Sequence, residues 1–292
     1  MAPLGSPLQT ANWEYRMPAP TSIVGQIQTM SVAMARGYHM KLLSIAVAST
    51  LGLAIVLLPI TNVYAAELRV LAGGAMTAMW GELKPKFEQA SGHKLEMFFG
   101  TTPNLIKEAT SGKPFDIGIV PVDVMQDTAA RAKFAPGQTL DIARVGLGVA
   151  VRAGAPKPDI GTPDALKATL LKAQSVASIP ESATGYSIAK VFERLGISEP
   201  MKAKMKAQPN PAQVAAVVAK GEAELGVFLI NVLTTPGLDV VGSFPAELQQ
   251  DVVFTAALSA DTKEPGAATA LITYLRTPEA AGIIKGKGMT PG

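Results

Sequence analysis

From Glu67 onward, short runs of continuous apolar residues alternate with stretches in which apolar residues recur every three or four positions. These are the two periods of buried strands and of one-sided helices. Leu68 to Ala72 predicts a buried strand, and Met76, Met79, Leu83 and Phe87 follow at helical spacing up to a break at Ser91-Gly92. Leu95 to Phe99 predicts a second strand. Thr102-Pro103 then reads as the N-cap and first residue of a helix with Leu105, Ile106 and Ala109 on one face and Gly112 past its end. Further strands are predicted over Ile117 to Val120, Val145 to Val151, Val176 to Ile179, Leu225 to Ile230, Val240 to Val241 and Val252 to Leu258. Between them, one helix opens at Thr162-Pro163-Asp164, one bears Ile188, Val191, Phe192 and Leu195 and stops at Gly196, and one covers Pro211 to Lys220. Two helices close the chain, the second opened by Thr277-Pro278-Glu279.

Strands alternating with helices in this way predict an α/β fold with mixed, mostly parallel sheets and helices on both faces. Val145 to Val151 and Val252 to Leu258 are the most continuous apolar stretches and suit two strands that cross between lobes. The expected division is therefore 66–145 with 245–292 as lobe 1 and 146–244 as lobe 2, with a ligand cleft between them. No internal repeat or low-complexity tract interrupts the pattern.

The N-terminal region obeys a different rule. Leu42 to Leu58 is an uncharged apolar run preceded by Arg36 and Lys41, ended by Pro59 and followed by Val63-Tyr64-Ala65-Ala66. Basic, apolar and then small residues make the order of a secretory signal, so 34–65 is expected to be a signal peptide cut after Ala65, and the protein is expected in the periplasm. An uncleaved anchor is the alternative, and it leaves the same domain outside the cytoplasm. Residues 1–33 are polar and patternless and read as a non-native extension, with Met34 or Met40 as the start.

Composition narrows the chemistry. Of 292 residues 48% are apolar, enough for two lobes of ordinary size and too many for a disordered chain. Beyond residue 65, 23 basic residues face 22 acidic ones, which gives no footprint for nucleic acid. The absence of cysteine excludes disulfides, thiolate metal sites, a cysteine nucleophile and a lipid-bearing cysteine. His39 and His93 are the only histidines, so a multi-histidine metal centre is excluded and no cofactor is expected.

Three loops carry candidate binding chemistry. Ala72-Gly73-Gly74-Ala75-Met76 turns the first strand into the first helix, where small residues let a ligand approach free N–H groups at a helix start. It does not complete the dinucleotide pattern G-x-G-x-x-G, and a tight turn needs small residues in any case. Gly100-Thr101-Thr102-Pro103-Asn104 sets two hydroxyls beside unpaired N–H groups, although Thr102 is also explained as a cap. Pro180-Glu181-Ser182-Ala183-Thr184-Gly185-Tyr186 repeats the arrangement after Val176 to Ile179 and could clasp a ligand from the other lobe or only cap its helix. Recurrence at strand ends favours binding, because ligands of open α/β sheets sit outside the carboxyl ends of the strands.

Catalytic patterns are not assembled. No G-x-S-x-G is present, His93 follows a helix end beside Gly92 as a solvated end residue, and Asp116 and Asp123 read more simply as a turn residue and an N-cap than as a carboxylate pair.

Leu71-Ala72-Gly73-Gly74-Ala75-Met76, Gly112-Lys113-Pro114-Phe115-Asp116-Ile117, Pro180-Glu181 through Gly185, Leu225-Gly226-Val227 and Thr277-Pro278-Glu279-Ala280-Ala281 match, in order and spacing, the periplasmic molybdate-binding proteins of ABC importers. The resemblance covers Ala66 to Gly292 and implies a type II periplasmic binding protein fold, two lobes closing over a small oxyanion held by neutral donors. It also implies a monomer that delivers its ligand to an ABC permease in the inner membrane, and no enzyme. Carried over, the ligand-binding positions are Gly74, Ala75, Met76, Thr101, Thr102, Ser182, Ala183, Thr184, Gly185, Leu229 and Asn231. Two of them depart from the family: its first-loop serine is Ala75 here and its tyrosine aligns with Leu229, with Asn231 or Tyr186 as substitutes. These departures leave open another anion, a small organic solute, or an envelope enzyme on the same scaffold.

Overall fold

The computed structural model describes residues 65–137 and 139–292, so the expected extension and nearly all of the expected export segment lie outside the described residues. Strand β1 (Glu67–Gly73) leads through a 3-10 turn (Gly74–Met76) into helix α1 (Thr77–Ser91), and β2 (Lys94–Gly100) leads into α2 (Thr102–Thr110). The face of α1 that carries Met79, Trp80, Leu83 and Phe87 is buried, as its spacing predicts, and Gly92 ends the helix in the left-handed conformation. β3 (Ile117–Pro121) is buried at every position and is followed by the short helices α3 (Val122–Gln126) and α4 (Thr128–Arg131) and by β4 (Leu140–Val145).

The chain then changes sheets. β5 (Leu147–Arg152), α5 (Pro163–Lys172), β6 (Val176–Ser178), α6 (Ala183–Arg194), α7 (Ser198–Lys204) and β7 (Met205–Ala207) follow. α8 (Pro211–Ala219), β8 (Leu225–Leu229), α9 (Ile230–Leu233) and β9 (Leu238–Ser243) complete this part. β10 (Val252–Leu258), α10 (Pro265–Leu275), α11 (Pro278–Gly286) and β11 (Thr290–Pro291) return to the first sheet. The six-stranded sheet has the order β11-β4-β10-β3-β1-β2 and the five-stranded sheet β7-β6-β8-β5-β9.

The apolar run Val145 to Val151, expected as one strand, is two. Gly146 separates β4, which pairs with β10, from β5, which pairs with β8 and β9 in the other sheet. Val252 to Leu258 forms one strand, β10, which stays within the six-stranded sheet between β3 and β4, so the return crossing falls in residues 244–251. Both sheets are mixed: β1 pairs parallel with β2 and β3, and β6 with β7 and β8, whereas β4, β5 and β10 make antiparallel pairs. The parallel ladders come from the strand-helix-strand units, and the antiparallel ones from the strands next to the crossings.

The side chain of Gln249 ties the two crossings together. Its Oε1 accepts from the Leu147 N–H at 2.7 Å and its Nε2 donates to the Leu147 carbonyl at 2.9 Å. One apolar cluster runs through both sheets and includes Val70, Ile119, Val149, Val227, Phe228 and Phe254, and a smaller one packs α2, α3 and α4 on the outer face of the first sheet. No helix among the described residues is long and apolar enough to cross a membrane.

Candidate functional site

The carboxyl ends of β1, β2 and β3 face the loops that follow β6 and β8, and the junctions from these strands into helices meet in one place. A cavity of about 30 Å³ is lined there by Gly73, Gly74, Ala75, Thr101, Thr102 and Pro121 from the first sheet's side and by Ile179, Ser182, Ala183, Thr184, Pro211, Phe228 and Leu229 from the second's. Val252 and Phe254 form part of its floor. It adjoins a wider cleft of about 740 Å³, edged by Thr77, Phe99, Asn104, Asn210, Asn231 and Thr235.

The local sequence explains how each loop is held. Ser182 caps α6: its Oγ accepts from the Gly185 N–H at 3.0 Å and donates to the Ile179 carbonyl at 2.8 Å. That hydroxyl is therefore occupied within its own loop. Gly185 is fixed by space, since a Cβ there would stand 2.1 Å from the Ile179 carbonyl oxygen. Gly73 is likewise fixed by the ring of Phe254, 2.4 Å from where its Cβ would be. Asn210 caps α8 by accepting from the Gln213 N–H at 3.0 Å, which sets Pro211 over Gly74.

Two hydrogen bonds cross the cleft. Thr102 Oγ1 accepts from the N–H of Ala183 at 3.0 Å, with both residues buried. Asn231 Nδ2 donates to the Ala75 carbonyl at 2.7 Å. The N-cap of α2 is Thr101, and Thr102 is the first helical residue, one position later than the sequence suggests. Its hydroxyl reaches across the cleft because the cap geometry does not use it.

Most of the expected positions therefore line one cleft. Gly74, Ala75, Thr101, Thr102, Ser182, Ala183, Thr184 and Leu229 border the inner cavity and Asn231 the wider part. Met76 and Gly185 do not: Met76 is fully buried in the apolar core, and Gly185 faces the rear of the Ser182 loop. Tyr186 is exposed on α6 and lines neither part of the cleft. Sequence reasoning missed Phe254 and Val252, which read only as strand, and Pro211, whose helix start follows a three-residue strand too short and polar to register. The Asn-Pro pair at 210–211 was the available signal, since it marks a capped helix start.

No charged side chain lines either part of the cleft among the described residues. Asp116 accepts from the Arg69 N–H at 2.8 Å and from the Thr262 hydroxyl at 2.7 Å, as a structural carboxylate. Asp123 lies in the first turn of α3 and not at its cap, which is Pro121. His93 is half-buried and accepts at Nδ1 from the Ala66 N–H at 3.2 Å, so it pins the start of β1 instead of standing free in solvent. The groups with shifted pKa values also lie elsewhere: Lys86 is raised by its hydrogen bond to Glu279, and Tyr274 is raised by burial. Among the described residues no three of His, Asp and Glu are grouped to hold a metal. The cleft thus offers neutral donors and acceptors from hydroxyls, amides and backbone N–H groups on an apolar floor.

Comparison with known proteins adds two sequence relatives and one solved structure. The chain is 35% identical over 253 residues to an aconitate isomerase from a Pseudomonas species, an alignment that spans 83% of this chain and 96% of the relative. It is 28% identical over 238 residues to the molybdate-binding protein ModA of Azotobacter vinelandii, spanning 77% of this chain and 90% of that one. The solved periplasmic molybdate-binding protein of Azotobacter vinelandii shares the fold at a TM-score of 0.65 with 20% identity, over 76% of this chain and 98% of that one. The first of these relatives is named for an enzyme activity, which overturns the expectation of no enzyme. That expectation rested on the missing catalytic motifs, and a motif search cannot see chemistry carried by a site grafted onto a binding scaffold. A family model described as bacterial extracellular solute-binding protein matches residues 68–290, and the chain belongs to that family.

Proposed function

We propose that the chain takes a small unsaturated polycarboxylate of the aconitate class into the cleft and isomerises it outside the cytoplasm. The observation that carries this reading is the apolar character of the cavity at the two positions where the oxyanion-binding relatives place donors. Ala75 and Leu229 both line it, and Leu229 is 1% exposed between Phe228 and the crossing strands. A tetrahedral oxyanion held there loses two charge-assisted hydrogen bonds, which together are worth about 3 kcal/mol or more. A carboxylate ligand extends instead into the adjoining cleft of about 740 Å³, where the side-chain amides of Asn104 and Asn210 offer N–H donors, while the hydroxyls of Thr77 and Thr235 already donate to the Gly74 and Val232 carbonyls at 2.7 Å. The 35% identity to an aconitate isomerase along nearly its whole length supports the same substrate class.

The test is incubation of the purified chain with cis-aconitate and with trans-aconitate, followed by proton NMR. Interconversion that is lost on boiling supports the reading. Unchanged spectra at substrate concentrations that saturate binding sink it.

A second reading is favoured by the Thr101–Thr102 pair and the backbone donors of the Ser182 loop, which suit a bare oxyanion of molybdate or tungstate type passed to an ABC permease. A melting panel separates the two. A rise on the order of 10 °C with molybdate at about 1,000 times its Kd, with none from aconitate, favours the second.

A further inference from the structure

Only one end of the Asn231 amide is satisfied. Nδ2 donates to the Ala75 carbonyl at 2.7 Å, and this settles which end is which, because a flipped amide sets oxygen against oxygen. Oδ1 is buried and has no hydrogen-bond partner, and the residue as a whole is 8% exposed. A buried acceptor left unpaired is unfavourable, so such an atom calls for a reason.

The position of Asn231 in the fold supplies one. The N–H of its neighbour Ile230 donates to the carbonyl of Gly146 at 3.0 Å, and Gly146 is the residue at which the chain passes from one sheet to the other. Atoms beside a pivot move least when two lobes part. Asn231 also lines the wider cleft, so an opening at Thr102 that keeps it close to Ala75 would bring its unpaired Oδ1 within reach of a ligand.

The cleft wall bears on the same ligand independently. It holds no cationic side chain, so a fully ionised polycarboxylate would bring all its charges to neutral donors only. Desolvation without a counter-charge drives a carboxyl toward its protonated form. A protonated carboxyl has an O–H to give, and Asn231 Oδ1 is an acceptor without a donor.

We infer that Asn231 binds the ligand with one carboxyl protonated, accepting its O–H, and so distinguishes a carboxylic acid from an oxyanion that carries no proton. This rests on the polycarboxylate reading above and names the ionic form that the site takes.

Calorimetric titration of the full chain with trans-aconitate near pH 7, repeated in buffers of different ionisation enthalpy, counts the protons that accompany binding. The expected result is uptake of about one proton per ligand, with Kd rising about tenfold per pH unit above neutrality. Asn231→Leu, shown by its melting curve to be folded, is expected to lose that uptake and to bind about ten- to a hundredfold more weakly. Tight binding by the wild type with no proton uptake overturns the inference, and so does unchanged uptake in Asn231→Leu. Binding of molybdate with no response to any polycarboxylate overturns the underlying reading as well, and differs from the other outcomes by the missing aconitate signal.

Discussion

The hydroxyl oxygen of Thr102 lies 3.0 Å from the backbone nitrogen of Ala183, from which it accepts a hydrogen bond, although the two are 81 residues apart and follow strands of different sheets. That N–H is the first of α6, where unpaired donors and the helix dipole together favour an acceptor or an anion. The threonine oxygen thus stands where a ligand oxygen would bind. The inner cavity of about 30 Å³ has room for about two water molecules. On the reading proposed above, binding in this cleft is an exchange in which the lobes part, Thr102 gives up Ala183 and the ligand takes both.

Replacing Thr101 and Thr102 together by alanine removes both hydroxyls that line the inner cavity from the first sheet's side. Affinity for the ligand is expected to fall about five- to a hundredfold, from a loss of about 1 to 3 kcal/mol. The unliganded protein also loses its Ala183 contact and about 1 kcal/mol of stability. Thr162→Ala is the control, because Thr162 caps α5 by accepting from the Ala165 N–H at 3.1 Å and lines no part of the cleft. It is expected to lose about 1 kcal/mol of stability and keep full affinity. Titration calorimetry and urea melts of both variants decide, and equal affinities for wild type and double mutant remove the threonines from the site.

Gly185 and Gly282 make a matched pair. Both sit in helices, but a Cβ at Gly185 meets backbone oxygens at 2.1 and 2.4 Å, whereas one at Gly282 meets nothing within 4 Å. Gly185→Ala is expected to destabilise by about 3 kcal/mol or more, because the obstruction is main chain and cannot rotate away. Gly282→Ala is expected to stabilise by about 0.5 to 1 kcal/mol through helix propensity alone. Denaturant midpoints measure both, and equal shifts in the same direction contradict the packing around the Ser182 loop.

These contacts mark how far the sequence could be read. Apolar runs and capped helix starts located the strands and helices that build the cleft, because burial and capping are local and leave a local trace. Thr102 and Ser182 were reached in the same way, as polar residues after buried strands, whereas Asn231 came from the family resemblance, as a neighbour of the position aligned with its tyrosine. What a residue touches across 81 or more positions is not local, so the Thr102–Ala183 and Asn231–Ala75 bonds left no periodic signal. Met76 was misplaced for a similar reason: its turn faces the cleft, but its side chain points into the core. The apolar continuity of Val145 to Val151 concealed the change of sheet at Gly146, since Val145 and Leu147 on its two sides are both buried.

Gln249 holds the two crossings with two hydrogen bonds to Leu147, at 2.7 and 2.9 Å. Gln249→Leu leaves the Leu147 N–H and carbonyl without these partners and is expected to cost about 1 to 3 kcal/mol. Loosening the crossing also favours the open arrangement, so the ligand is expected to bind faster and dissociate faster. Stopped-flow binding beside urea melts tests this, and a variant with wild-type stability and rates removes Gln249 from the hinge.

The last prediction concerns the two positions at which this chain departs from the oxyanion-binding pattern. Ala75 is part of the turn after β1 and Leu229 ends β8, and they line the same cavity from opposite sheets. If the ligand class is set by their lack of donors, restoring donors should move it. Ala75→Ser adds a hydroxyl at a partly buried position and is expected to change stability by less than about 1 kcal/mol. Leu229→Tyr forces a larger ring into a site that is 1% exposed, at a cost of about 1 to 3 kcal/mol from overpacking, offset where its hydroxyl reaches the cavity. The double variant is expected to bind molybdate at least about tenfold more tightly than the wild type, since each charge-assisted hydrogen bond contributes about 1.5 to 3 kcal/mol. On the aconitate reading, turnover is expected to fall, because the same groups take up space in the inner cavity. Parallel titrations with molybdate and trans-aconitate measure the trade directly. A double variant that folds, binds molybdate no better and isomerises aconitate as before shows that these two positions do not select the ligand.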